Sequence, residues 1–198
     1  MATDLIDLDC YKEAKNIKST TKDGKLQTLI TQVSALIENY CNRQFITYST
    51  TPKVEWHDAK PNKVILKEFP VINVSGVSTS TDGGITQTAL VAADANNIGY
   101  LVDTENCVIL KSDGTNFLDS YTIPFRSLEI TYTAGYLQDE IPLDLQLVTI
   151  DLVHYYENEE NIPGKSLMGG NIDNAQPYIA NSFPPAIRRV LDLYRFSA

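Results

Sequence analysis

Residues 127–160 read SLEITYTAGYLQDEIPLDLQLVTIDLVHYYENEE, and the way this stretch folds decides the architecture of the chain. Leu128, Ile130 and Tyr132 recur at every second position while Glu129, Thr131 and Thr133 alternate with them, the period of a half-buried strand. Ala134 and Gly135 break the alternation, and glycine tolerates the positive φ that a sharp exit needs. Asp139, Glu140 and Asp144 then bracket Pro142, a residue favoured in a first helical turn where its missing N–H costs nothing. The spacing predicts a helix beyond it. Leu145, Val148, Ile150, Leu152, Val153, Tyr155 and Tyr156 cover more than one narrow stripe, so this helix is expected to pack on two sides, with Asp151, Glu157 and Glu159 in solvent.

Working outward toward the N-terminus, residues 5–17 predict a short helix, capped by Thr3 or Asp4 and carrying Leu8, Ala14 and Ile17 among its apolar positions. After Asp23 and Gly24, the residues Leu26, Leu29, Ile30, Val33, Leu36, Ile37, Tyr40 and Cys41 recur at spacings of three and four, which is a core-facing helical stripe ended by Asn42 and Arg43. From Phe45 to Arg126 the pattern changes to strands, expected at 53–57, 63–67, 71–78, 99–103, 107–110 and 122–125. Pro61-Asn62, Asp82-Gly83-Gly84, Asn96-Asn97 and Asp113-Gly114 supply turn chemistry between them. Pro70 is expected to bend or end a strand because it lacks the ladder N–H.

Toward the C-terminus, residues 161–182 are rich in Gly, Asn and Ser with little periodicity and read as a long loop that orders against a neighbour. Pro184 and Pro185 open a last helix with the apolar stripe Ile187, Val190, Leu191 and Tyr194. Arg188, Arg189 and Arg195 are three of the sixteen basic residues. This helix is read as a docking element, or as a helix whose Arg195 simply complements its C-terminal dipole. The fold class is therefore α+β: a helical bundle formed by the N- and C-terminal helices with an inserted small antiparallel β lobe. The expected divisions are 1–45 for the first helices, 46–135 for the β lobe, and 136–198 for the central helix, long loop and final helix.

Composition excludes several functions. The 198 residues, 43% hydrophobic and 21% charged, suit a soluble globular protein, and no run reaches the roughly 18 apolar residues of a membrane span. The acidic beginning MATDLIDLDCYKEAK lacks the basic and apolar regions of a signal peptide, which points to folding in a cytoplasm. Cys10, Cys41 and Cys107 are odd in number and widely spaced, and are expected as buried free thiols. A net charge of −9 argues against a surface that wraps nucleic acid.

Four constellations bear on chemistry. Gly164-Lys165-Ser166 ends like a phosphate loop but lacks the glycine five positions earlier, where Glu159 stands, and the strand before it. Asp94, Asn96, Gly99 and Glu105 occupy calcium-loop positions, yet Ile98 and Val102 supply no oxygen where the loop needs one. His154 and Glu157 share a helix face without a third ligand, and no nucleophile accompanies the histidine. Trp56 and Tyr155-Tyr156 suit either core or interface. No cofactor, metal or catalytic residue is assigned, and the chain is expected not to be an enzyme.

The central stretch resembles the head-tail connector, or adaptor, proteins of tailed bacteriophages. The resemblance rests on Ile130 to Tyr136, ITYTAGY, on Ile141 to Leu145, IPLDL, and on His154 to Asn158, HYYEN. Ala35 to Arg43, ALIENYCNR, is similar to that family's second helix, and the match includes the final helix, whereas about residues 46–126 match only in style. The resemblance implies a virion protein of the neck that forms a ring, commonly a dodecamer, beneath the portal protein. Such a ring extends the channel for genomic DNA, which passes without sequence-specific binding, and it joins neck or tail proteins with no membrane involved. It further implies portal contact through some of Ile187, Arg188, Leu191, Tyr194, Arg195 and Phe196. Subunit contact is expected through the loop residues Lys165, Leu167, Met168 and Tyr178 and through Phe183. Deletion of residues 186–198 is expected to abolish portal binding and leave the fold largely intact. The alternative is a β module of a virion or surface protein that binds carbohydrate or calcium.

Overall fold

The structure is a computed structural model that describes residues 4–58, 62–118, 125–160 and 183–196. The strand predicted at its centre is β7, Leu128–Ala134, and its burial alternates as the sequence does: Leu128, Ile130, Tyr132 and Ala134 are buried, and Glu129, Thr131 and Thr133 are half-buried. It pairs antiparallel on both sides, with β1 (Lys53–His57) and β3 (Val71–Thr79). A short strand β4, Thr88–Leu90, extends the sheet beyond β3, giving the order β1-β7-β3-β4. β4 was not expected, because three residues display no period and their pairing partner lies in β3.

A second, three-stranded sheet has the order β2-β6-β5, built from β2 (Lys63–Ile65), β5 (Tyr100–Asp103) and β6 (Val108–Lys111). The expected start of β6 at Cys107 is corrected to Val108, because Cys107 adopts φ 56 and belongs to the preceding turn. Val64, Leu66, Val77, Ile109, Phe117, Leu128 and Ile130 fill one hydrophobic cluster to which both sheets contribute. Of the strand expected at 122–125, only Phe125 falls among the described residues, and it lies in a bend.

Gly135 ends β7 with φ +103, and a Cβ there would stand 2.3 Å from the Phe45 carbonyl oxygen, so both conformation and space demand glycine. The Tyr136 N–H donates to that carbonyl at 2.7 Å. A 3-10 turn, Gln138–Glu140, leads to helix α4, Leu143–Glu160. Pro142 stands just before the helix instead of inside its first turn, and its carbonyl accepts from the Gln146 N–H at 3.0 Å.

The chain divides into two compact units, one of residues 43–140 and one of residues 1–42 with 141–198. Residues 43–45 and 136–140 therefore belong with the sheets: the Tyr136–Phe45 bond joins them, and the Gln44 N–H donates to the Glu68 carboxylate at 2.9 Å. A short helix α3, Thr47–Thr50, follows them.

The other unit is helical. Helix α1, Leu8–Ala14, begins later than expected because its cap is Asp7, whose carboxylate accepts from the Cys10 N–H at 2.6 Å. Leu5 and Ile6 precede the helix and are nonetheless buried, the Leu5 N–H donating to Ser34 Oγ at 3.0 Å. Asp4 accepts instead from Gln27 at 2.6 Å and Thr31 at 3.2 Å. Helix α2, Asp23–Cys41, buries Leu26, Leu29, Ile30, Val33 and Ile37, and Asn42 ends it in the left-handed conformation at φ 54. Helix α4 packs against α2 and against α5, Pro185–Tyr194, through Leu145, Val148, Leu152 and Val153. Glu157 is not left to solvent as expected: the buried Tyr11 donates its hydroxyl to it at 2.8 Å and Lys22 approaches at 3.7 Å. Of the three free thiols only Cys41 is buried, and Cys10 and Cys107 are half-buried.

Candidate docking surface

Helix α5 starts at a proline, which suits a first turn, and turns one stripe inward. Ile187 and Leu191 are 8% and 0% exposed. The resemblance implies portal contact through some of six residues that include these two, and both are buried inside the chain, where α5 packs against α2 and α4. Removal of residues 186–198 would take both of these buried side chains out of the helical unit. Arg188, Arg189 and Arg195 are exposed, and Leu193 is 75% exposed. The exposed residues of this segment thus include three arginines and one leucine, Leu193, which sequence reasoning missed because it lies outside the apolar stripe.

Side-chain bonds set the helix in place. The Tyr194 hydroxyl donates to Asp144 at 2.7 Å, pinning the end of α5 to the start of α4. The Tyr40 hydroxyl donates to Asp192 at 2.6 Å. Burial, then the Asp192 carboxylate, pushes the Tyr40 hydroxyl pKa up, against a smaller opposing pull from Arg188. Arg188 Nε lies 3.7 Å from Asp192 on the same helix, and the Arg195 guanidinium sits 5.5 Å above the Tyr40 ring. Past the helix, the Phe196 N–H donates to the Cys41 carbonyl at 2.9 Å. Phe183 packs edge-on against Tyr40, ring centroids 4.9 Å apart, within its own chain. Lys165, Leu167, Met168 and Tyr178 lie outside the described residues, as does Gly164-Lys165-Ser166.

The β unit contains a polar cluster that sequence reasoning did not find. Lys53 Nζ lies 2.9 Å from Glu68 and 3.4 Å from Glu55, and His57 Nε2 lies 2.9 Å from Glu55. Tyr132 donates its hydroxyl to Glu55 and accepts from the Glu68 N–H at 3.2 Å. Burial pushes the Glu55 carboxyl up, but the bonds from His57 and Tyr132 and the Lys53 charge outweigh it and hold the pKa at about 2. Arg43 lies between the Phe45 and Phe69 rings, 4.6 and 3.5 Å from their centroids, and donates to the Phe69 carbonyl. The group is charge-balanced and enclosed, which ties β1 and β7 to the segment between β2 and β3.

The other candidate sites resolve into local structure. Asp94 accepts from the Asn96 and Asn97 backbone N–H groups at 2.7 and 2.8 Å, a turn-capping role for the first residue of the calcium-loop pattern. His154 is exposed and bonds Asn158 at 3.0 Å while Glu157 is engaged by Tyr11, so the two do not form a site. Among the described residues no group of three or more His, Cys, Asp or Glu could hold a metal ion, and no helix is long and apolar enough to cross a membrane. The Arg126 guanidinium stands 4.8 Å over the Trp56 ring, and Gly84 closes on the ring edge.

The chain belongs to the head completion protein family, whose profile matches residues 4–197, and its role is that of a structural component of the head-tail connection. No curated protein sequence matches it. Solved structures share the fold along nearly its whole length. The neck of an empty gene transfer agent particle computed with C6 symmetry is 17% identical with a TM-score of 0.58, covering 98% of this chain and 91% of that one. The neck of the native particle computed with C12 symmetry is 18% identical with a TM-score of 0.54, covering 100% and 96%. The virion of the native gene transfer agent is 14% identical with a TM-score of 0.57, covering 98% and 91%.

Proposed function

We propose that the protein assembles in the host cytoplasm into a ring, of twelve copies, beneath the portal of a tailed virion, where it extends the DNA channel and presents a surface to the next neck or tail protein. The observation that carries this reading is family membership over residues 4–197 together with a full-length fold likeness to neck components computed with C12 and C6 symmetry. The outward face of α5, Arg188, Arg189, Leu193 and Arg195 with the rims of Tyr194 and Phe196, is the part that meets the portal. Ile187 and Leu191 act by holding that face in place. One short helix need not bind tightly, because many identical contacts closed by rotational symmetry gain through multivalency. The net charge of −9 suits a channel wall along which DNA slides without adhering.

The test is to mix the purified protein with the portal encoded beside it and to image the product by electron microscopy. A ring stacked coaxially on the portal is the expected result. The triple variant Arg188→Glu, Arg189→Glu, Arg195→Glu should lose the stack while keeping its helical circular dichroism. A wild-type protein that stays monomeric and forms no complex would defeat the proposal.

A further inference from the structure

Helix α5 carries its charges the wrong way round for its own stability. A helix favours anions near its N-terminus and cations near its C-terminus, yet Pro185–Tyr194 has no acid in its first turn and no base in its last, and Arg188 and Arg189 precede Asp192. Arg188 and Asp192 stand at i and i+4, and with the cation first this is the weaker of the two orders. The helix gains little from the pair, so its own stability does not account for these charges.

The side chain that intervenes is Tyr40, in the last turn of α2. Its hydroxyl donates to Asp192 Oδ1 at 2.6 Å, while Asp192 Oδ2 lies 3.7 Å from Arg188 Nε, an ion-pair distance too long for a good hydrogen bond. Burial and then Asp192 raise the Tyr40 pKa, so the hydroxyl keeps the proton it donates; Arg188 pulls the other way because its guanidinium lies beside the same hydroxyl. The Tyr40 ring packs edge-on with Phe183 and has the Arg195 guanidinium 5.5 Å from its centroid. One side chain of α2 thus bears on two of the three exposed arginines, Arg188 through Asp192 and Arg195 through the ring. With the hydroxyl removed, Asp192 has both oxygens available for Arg188, and the forked pair that arginine and carboxylate prefer can close. The guanidinium is then taken up within its own helix.

We infer that Tyr40 is a positioning residue: by holding one oxygen of Asp192 it keeps the Arg188 guanidinium presented outward, for an acidic group of the partner that docks on α5. The inference rests on the docking reading above and adds the partner's chemistry, a carboxylate, together with the device that keeps a cation ready for it. The planar fork of donors on arginine matches a carboxylate, and the anion that Arg188 meets in its own chain is of that kind.

Tyr40→Phe keeps the ring and removes the hydroxyl. An exposed ion pair alters a single contact by about two- to fivefold and a ring multiplies that over its copies, so portal affinity should fall roughly tenfold. Its salt dependence should flatten while helical circular dichroism stays unchanged. Without the portal, the Arg188 Nε–H should exchange with water more slowly in Tyr40→Phe than in wild type, as read by nuclear magnetic resonance. Asp192→Asn alone should bind at least as tightly as wild type. Added to Tyr40→Phe it removes the carboxylate that captures Arg188, and should restore the lost affinity, whereas a merely structural role for Tyr40 would leave the double variant as weak as the single one or weaker. A Tyr40→Phe variant that binds like wild type, an unchanged Arg188 exchange rate, or a double variant without recovery overturns the inference and leaves the docking reading standing. A wild type that binds no portal defeats the docking reading, and this inference with it.

Discussion

The two units solve the same problem with opposite materials. The helical unit, drawn from both ends of the chain, is held by aliphatic stripes, and several of its long-range side-chain bonds are exposed or only part-buried, as in Tyr11–Glu157, Tyr40–Asp192 and Tyr194–Asp144. The β unit has small sheets with short strands, and it encloses charge: Glu68 and Arg43 are both buried. A helical face can be apolar inside and variable outside, which leaves its outer surfaces available for assembly. Apart from β3 and β7, the described strands have three to five residues and offer little apolar area each, and a directional network of bonds then fixes how they meet. The comparison teaches where mutations will act. Changes to the outer faces of helices should alter assembly without altering the fold, and changes to the charged cluster should alter the β unit without altering assembly directly.

The sharpest way to break that distinction is Glu68→Ala. It leaves Lys53 and the Gln44 N–H without their buried acceptor, a loss of about 3–5 kcal/mol. Hydrogen exchange should accelerate in residues 43–140 and change little in the helical unit. Equal acceleration in both would show that the units are not independently held. Next in size, Leu191→Ala empties a fully buried site between α5 and its neighbours and should cost about 2–4 kcal/mol. Here exchange should rise in α2, α4 and α5 while the sheets stay protected.

Acid supplies the smallest and most selective probe. The folded pKa of Glu55 is about 2, below its ordinary value of 4.5. Its contribution is therefore present in full above about pH 4.5 and is lost as pH falls through that value toward 2. Between pH 6 and pH 3 the β unit should lose about 1–2 kcal/mol from this group, and Glu55→Gln should flatten that part of the profile. An acid profile identical in the variant would remove the cluster from the account of stability.

Much of the helical unit was legible because its signals are local. The stripe from Leu26 to Cys41 marks α2, and the alternation from Leu128 to Ala134 marks β7, since side chains two, three or four positions apart share a face whatever surrounds them. The sheets were legible in outline, but β4 was not, because three residues carry no period, and neither was the start of α1, because Leu5 and Ile6 are buried without being helical. The candidate site was half legible. The basic helix at the C-terminus stood out by composition, yet its apolar stripe was read as a surface for a partner when the chain itself consumes it.

The sequence by itself determined the α+β composition, the places of α2, α4, α5 and β7, the glycine turn at Gly135 and the acidic character, all of which follow from residues near one another in the chain. Only the tertiary structure decided that Ile187 and Leu191 face inward, that Glu157 belongs to Tyr11, and that Lys53 answers Glu68. Those outcomes depend on which distant segments meet. A stripe at helical spacing says that something covers it, and only the fold says whether that cover comes from the same chain.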